Sequence, residues 1–202
     1  MFNKRISFLV SGKGIIFSSV ARKICSGDIN AKPGILISDN ENSQALTKAT
    51  EFGIKPIYIN PDNYSTREEC EKEMLVVLRK YKTDLIVTAG YMRIISPYLI
   101  KIFKNRIINI HPSLLPSFPG KNAQQKALDY GVKVTGCTSH FIDEGIDSGP
   151  IIMQRAVPVF EDDDIKSLSL RIIKEECKIL PESVNLYCRG RLKMAGRRVI
   201  IK

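Results

Sequence analysis

Two short stretches of the chain combine residue types that can move a proton and hold a developing negative charge. The first is Asn109-Ile110-His111-Pro112, at the end of an otherwise apolar run. Period-two alternation along an extended chain puts Asn109 and His111 on one side. An amide donor and an imidazole aimed together suit a tetrahedral intermediate, the donors facing the oxyanion and the ring transferring a proton. A histidine at a strand end also has an ordinary structural use, and residue types alone leave both readings open. The second stretch is Asp143-Glu144-Gly145-Ile146-Asp147, followed by Ser148-Gly149-Pro150. It reads either as an acidic surface turn or as a carboxylate carried over His111. In the latter case the aspartate favours the imidazolium and orients water or relays a proton.

A third place is the opening loop, Ser11-Gly12-Lys13-Gly14-Ile15-Ile16. Its glycines let the backbone approach a ligand closely, and the helix expected after it offers N–H groups to a phosphate at Gly14, Ile15 and Ile16. Ile15 and Ile16 supply no side-chain hydrogen bond, so a tight strand-to-helix turn is the competing reading.

The elements that must carry these residues follow from hydrophobic patterning. Short apolar runs at 6–10, 34–38, 56–59, 85–88 and 107–110 predict strands, and amphipathic stretches at 16–26, 42–52, 66–81 and 97–103 predict helices. Continuous apolar strands separated by helices predict a parallel sheet covered on both faces, with ligands beyond the carboxyl ends of its strands. After residue 110 the texture changes. A loop with three prolines and a glycine spans 111–122, a helix is expected at 123–130, and strand-like segments at 134–142 and 151–159 are joined by a turn-rich connection that suits an antiparallel excursion. A last helix is expected over 164–187, interrupted or kinked near Pro181.

Composition sets the outer bounds. The 202 residues are 44% hydrophobic and 26% charged, which fits a folded domain with a sizeable core. Lys4 and Arg5 precede an apolar run as in a signal peptide, but Lys13 breaks it too early, so no signal peptide is expected. No apolar run reaches the roughly 20 residues of a membrane helix. Five cysteines without a C-x-x-C pair, and only two histidines, show no clustered metal-ligand set and suit reduced, mostly buried thiols in a cytoplasm. Six of the net ten positive charges fall in the last fourteen residues, without an acid among them. That segment reads as a solvated basic hairpin, and nucleic acid is not an expected partner.

The motifs NIHPSLLPSFPG and GCTSHFIDEGIDSGPII closely resemble those of the folate-dependent formyltransferases, and the resemblance runs from about Lys4 to Lys193. Within the family it is narrowest with the branch that formylates the amine of N1-(5-phosphoribosyl)glycinamide in de novo purine (IMP) biosynthesis. The resemblance implies an α/β, Rossmann-like, mainly parallel sheet flanked by helices, with an antiparallel C-terminal excursion. It implies a single formyltransferase domain over 1–202, with a nucleotide-binding half at 1–110 and a catalytic and folate-binding half at 111–202. Asn109 then polarises the formyl carbonyl of 10-formyltetrahydrofolate, a consumed cosubstrate, His111 stabilises the oxyanion and donates the proton, and Asp147 maintains the imidazolium and a proton-shuttling water. The amine attacks directly, without metal. Folate binding is implied for Arg67, which faces the glutamate tail, for Met92, Arg93, Ile94 and Ile95, for Asn109, and for Asp143, Glu144, Gly145, Ile146 and Asp147. Nucleotide binding is implied for Gly14, Ile15, Ile16, Pro112, Ile173 and Glu176. The expected partners are these small molecules, not nucleic acid or membrane, in a cytoplasmic monomer or homodimer.

The chain departs from the family pattern at Ile15 and Ile16, where a polar pair is usual, at Ile173, where an amide is common, and at Asn122 and Gln124, where histidines are frequent. All concern the nucleotide side or its rim. Two alternatives follow: a formyltransferase acting on another amine, such as an aminosugar nucleotide or methionyl-tRNA, or a folate-binding relative that has lost its acceptor. The tRNA-directed members add a C-terminal domain and the formyltetrahydrofolate hydrolases an N-terminal one, for which little chain remains.

Overall fold

A computed structural model describes residues 4–202, which form two compact units, one ending at Ile108 and the other beginning at Asn109. In the first unit β1 (Lys4–Leu9) pairs in parallel with both β2 (Ala31–Ser38) and β4 (Leu85–Thr88). β2 in turn pairs in parallel with β3 (Lys55–Tyr58), giving the order β3-β2-β1-β4. All four residues of β4 are buried, as expected of a parallel strand covered on both faces. β5 (Ile107–His111) follows β4 in the sheet and carries the chain from one unit to the next.

Helices α1 (Ile15–Cys25), α2 (Gln44–Glu51), α3 (Arg67–Lys80) and α4 (Pro97–Ile102) belong to this unit. α1 buries Phe17, Val20, Ala21 and Ile24, spaced three or four apart on one face. α2 starts two residues later than predicted because the Ser43 hydroxyl caps it, accepting from Ala45 N–H. A capping box between Thr66 and Glu69 fixes the start of α3.

In the second unit the order is β5-β6-β7, with β6 (Val134–Phe141) and β7 (Ile151–Pro158) antiparallel. Helix α5 (Ala123–Tyr130) precedes them, and α6 (Ile165–Cys188) follows with an Asp164–Ser167 capping box. β8 (Leu192–Ala195) and β9 (Arg198–Ile201) close the chain as an antiparallel hairpin. The architecture is the expected α/β one: a mostly parallel, Rossmann-like sheet with flanking helices and an antiparallel C-terminal excursion.

Two expectations are corrected. The interruption expected near Pro181 is absent, since α6 is continuous from Ile165 to Cys188. Pro181 is itself buried beside Ile179, Leu180 and Val184, and packing of that apolar stripe outweighs the roughly 3 kcal/mol a proline costs inside a helix. The thiols are not mostly buried: Cys70 and Cys137 are, but Cys25 at the end of α1 is exposed, and Cys177 and Cys188 are half-buried. No described helix is long and apolar enough to cross a membrane.

Candidate functional site

Asn109 and His111 end β5 and point to the same partner, as the alternation required. Asp147 Oδ2 lies 3.2 Å from His111 Nδ1, and Asp147 Oδ1 accepts from Asn109 Nδ2 at 3.4 Å. The aspartate sits in the left-handed region, φ 50°, where Asp and Asn are the side chains best tolerated after glycine. The Gly120 N–H donates to Oδ2 at 2.8 Å and fixes the carboxylate's rotation. His111 Nε2 lies 2.9 Å from the Phe118 carbonyl. Both ring nitrogens therefore face oxygens that can only accept, and the ring satisfies both only when it carries two protons.

His140, on β6, completes the group and was not singled out from the sequence. Its Nδ1 faces the Phe141 carbonyl at 2.9 Å, so that nitrogen holds the proton, and Nε2 accepts from Asn109 Nδ2 at 3.1 Å. Burial pushes this imidazole below its usual range, which keeps it neutral and able to accept. His140 and His111 thus flank one carboxylate, and the Asn109 amide is oriented by His140 and Asp147 together.

The 143–148 loop that presents Asp147 is braced internally. Asp143 Oδ1 accepts from the Ser148 hydroxyl at 2.6 Å and from Gly145 N–H at 3.2 Å. Gly149 packs so closely that a Cβ there would stand 1.8 Å from the Phe141 carbonyl oxygen. Glu144, Gly145 and Ile146 are exposed, the last a large apolar side chain left facing outward. From the basic hairpin, Arg197 donates to the Ser148 carbonyl at 2.6 Å.

Pro112 directly follows His111 in the chain. Ile173 and Glu176 lie three apart on one face of α6. Glu176 is 3% exposed, and burial pushes its carboxyl from the ordinary 4.5 up to about 7. The native state then holds this proton more tightly than the unfolded chain, so stability falls as pH rises between those two values. Glu176→Gln should match the wild type near pH 4 and exceed it near pH 8 by up to roughly 3 kcal/mol. Denaturant unfolding at both pH values checks this, and a pH-independent difference would contradict it.

In the first unit, Gly14 caps α1 from the left-handed region at φ 68°. A Cβ there would lie 2.8 Å from that of Ala45, so close packing and conformation both call for glycine. The loop's carbonyls are held from outside: Gly12 O accepts from the Ser43 hydroxyl at 2.7 Å, and Lys13 O from Lys48 Nζ at 2.7 Å. α1 has no side-chain cap and no acid in its first turn, which leaves the positive end of its dipole uncompensated. Ile15 is exposed and Ile16 half-buried. Ser11 ties this loop to the segment after β4, its N–H donating to Gly90 O and its hydroxyl accepting from Met92 N–H at 2.9 Å. In that segment Met92, Arg93 and Ile94 are exposed and Ile95 is buried. Arg67 is exposed in the first turn of α3, where the helix dipole disfavours a cation, so helix stability does not account for it.

A family model described as formyl transferase matches residues 4–184. The chain is 36% identical over 181 residues to a phosphoribosylglycinamide formyltransferase of Bacillus subtilis (strain 168), covering 90% of this chain and 93% of that protein. It is 38% identical over 189 residues to the trifunctional purine biosynthetic protein adenosine-3 of Drosophila melanogaster, covering 93% of this chain but only 14% of that much longer protein. Among solved structures, glycinamide ribonucleotide transformylase 1 from Symbiobacterium toebii superposes with a TM-score of 0.97 at 42% identity, covering 98% of this chain and 94% of that one.

Proposed function

The chain belongs to the formyl transferase family, and from that premise we propose that it transfers the formyl group of 10-formyltetrahydrofolate to the amine of N1-(5-phosphoribosyl)glycinamide, a step of de novo purine synthesis. The observation that carries this reading is the group around Asp147, in which Asn109 and a doubly hydrogen-bonded His111 meet one carboxylate. The amine attacks the formyl carbon and the carbonyl oxygen becomes an oxyanion; His111 donates to it once the Phe118 carbonyl leaves Nε2, and Asn109 once one of its two amide N–H bonds, to His140 or Asp147, is given up. Collapse breaks the bond to the folate nitrogen, which takes a proton as the amine loses one. Asp147 keeps the imidazolium charged throughout and holds the water that relays between the two nitrogens. His140 acts through Asn109, keeping its amide turned toward the reacting centre.

Folate recognition is assigned to Arg67, Met92–Ile95 and the 143–147 loop, whose exposed Met92, Ile94 and Ile146 offer apolar surface to a pteridine. The nucleotide is assigned to the first-turn N–H groups of Gly14, Ile15 and Ile16, with Pro112, Ile173 and Glu176 toward ribose and glycinamide. In this reading the nucleotide phosphate is held by the stretch before residue 109 and the Asn109–His111–Asp147 group does the chemistry, in a cytoplasmic protein.

The isoleucine pair at the α1 N-terminus favours one competing reading, an amine acceptor without a phosphate. The two separate in one assay, formyl transfer to glycinamide ribonucleotide beside its phosphate-free riboside. The expected kcat/KM is at least about 100-fold higher for the ribonucleotide, as two or more charge-assisted hydrogen bonds require. Equal use of both acceptors would reject the phosphate loop, and transfer to neither, with folate bound, would reject the acceptor.

A further inference from the structure

The chemistry above makes no use of Glu71, yet its carboxylate lies inside the first unit with only 4% of the residue exposed. Burying a carboxylate is unfavourable unless donors meet it, and desolvation is the largest influence on this one, raising its pKa. The donors come from a single residue. Ser96 N–H lies 2.8 Å from Oε1, and the Ser96 hydroxyl donates to Oε2 in a short hydrogen bond. Ser96 occupies the N-cap position of α4 but its side chain makes no capping bond, because the hydroxyl turns to Glu71 instead.

The placement of that contact gives it meaning. Ser96 directly follows the Met92–Ile95 segment, whose other end is held by the Ser11 hydroxyl at Met92 N–H. Glu71 lies four residues after Arg67 on α3, a spacing that makes the two neighbours, and the guanidinium charge lowers the Glu71 pKa. One carboxylate therefore joins the helical turn bearing Arg67 to the end of the 92–95 segment. These two stretches of chain otherwise have no sequence neighbourhood.

We propose that Glu71 is a positioning residue for folate recognition, which, by clamping Ser96, holds the main chain of 92–95 at a fixed spacing from Arg67. This rests on the folate assignment above. The pteridine-reading groups and the tail-facing guanidinium are then set in place before the cosubstrate arrives, and the ordering cost is met in folding.

The test compares Glu71→Ala, Glu71→Gln and Ser96→Ala in the full chain, by equilibrium binding of tetrahydrofolate and by steady-state kinetics in both substrates. Glu71→Ala should raise the folate Kd and KM about tenfold or more while leaving kcat and the nucleotide KM within about twofold. Glu71→Gln should recover most of the folate affinity, since its amide oxygen accepts from Ser96 N–H and its NH2 donates to the hydroxyl. Ser96→Ala, which keeps the backbone donor, should fall between, and it carries the test should Glu71→Ala fail to fold. Unchanged folate binding in the folded variants overturns the inference, as does an equal rise in both Michaelis constants or a glutamine variant as weak as alanine. A wild type that binds no tetrahydrofolate would instead overturn the folate assignment itself.

Discussion

Asp147→Asn is expected to lower kcat by roughly 100- to 1,000-fold, the scale seen when an oxyanion donor is lost. The substitution barely changes shape, and asparagine tolerates φ 50° at least as well as aspartate. What changes is the hydrogen-bond bookkeeping. One carboxylate oxygen accepts from both His111 Nδ1 and Gly120 N–H, and the other from Asn109 Nδ2. An amide supplies a single acceptor. If its oxygen stays with His111 and Gly120, its NH2 meets the Asn109 NH2, two donors facing each other, and can also compete for His140 Nε2, 3.7 Å from that position. Asn109 must then swing away from the reacting centre. In either rotamer the negative charge that favours the imidazolium is gone. Folate and nucleotide KM should move far less than kcat, because the loss falls on the transition state. A kcat within about threefold of wild type would remove Asp147 from the mechanism.

The second large effect is expected at Gly149. An alanine Cβ would lie 1.8 Å from the Phe141 carbonyl oxygen and 3.2 Å from Asp143 N, both backbone atoms that cannot rotate aside. Either the turn carrying Asp147 shifts or the end of β6 does, and each breaks the Phe141 N–H to Pro150 carbonyl bond. Gly149→Ala should cost about 3 kcal/mol and lower Tm by roughly 6–12 °C. Its kcat should fall with it, since the carboxylate leaves His111. Gly145→Ala is the contrast: there the Cβ meets the Ser148 hydroxyl at 2.1 Å, the mobile end of a side chain, and most of the stability should remain. Thermal unfolding and single-turnover transfer of both variants check the pair; equal Tm values would show that the 149 contact relaxes freely.

How much of this was legible in the sequence depends on whether the signal was local. β4 and α5 fall on the predicted residues, because an unbroken apolar run and a helix followed by Gly131 both mark their own ends. Asn109 and His111 could be paired because alternation along β5 is a two-residue property. For Asp147 residue types left a surface turn and a carboxylate over His111 both open, and the resemblance favoured the second, since nothing in a turn-rich acidic loop says what it faces. His140 escaped because β6 is buried almost throughout, and a strand covered on both faces gives no alternation to separate core from site. The available hint was that the chain has only two histidines, each near the end of a strand. The Glu71–Ser96 contact spans 25 residues, and the spacing of the 66–81 stretch gives no sign of it. The interruption expected at Pro181 failed for the opposite reason: a strong local rule was overridden by packing visible only in three dimensions.

Water is the rival that a site moving formyl groups must refuse, being far more abundant than any amine. The Phe118 carbonyl on His111 Nε2 bears on that contest. While it is there, both ring nitrogens face acceptors and no N–H is free for a departing nitrogen. Phe118 sits at φ 53°, a conformation few bulky residues hold, so the arrangement depends on the 113–120 loop around it. Acid catalysis in the proposed reaction then waits on an event that displaces one carbonyl. In that reaction a cosubstrate bound alone would keep its one-carbon unit, and the enzyme's thrift would reside in a peptide oxygen.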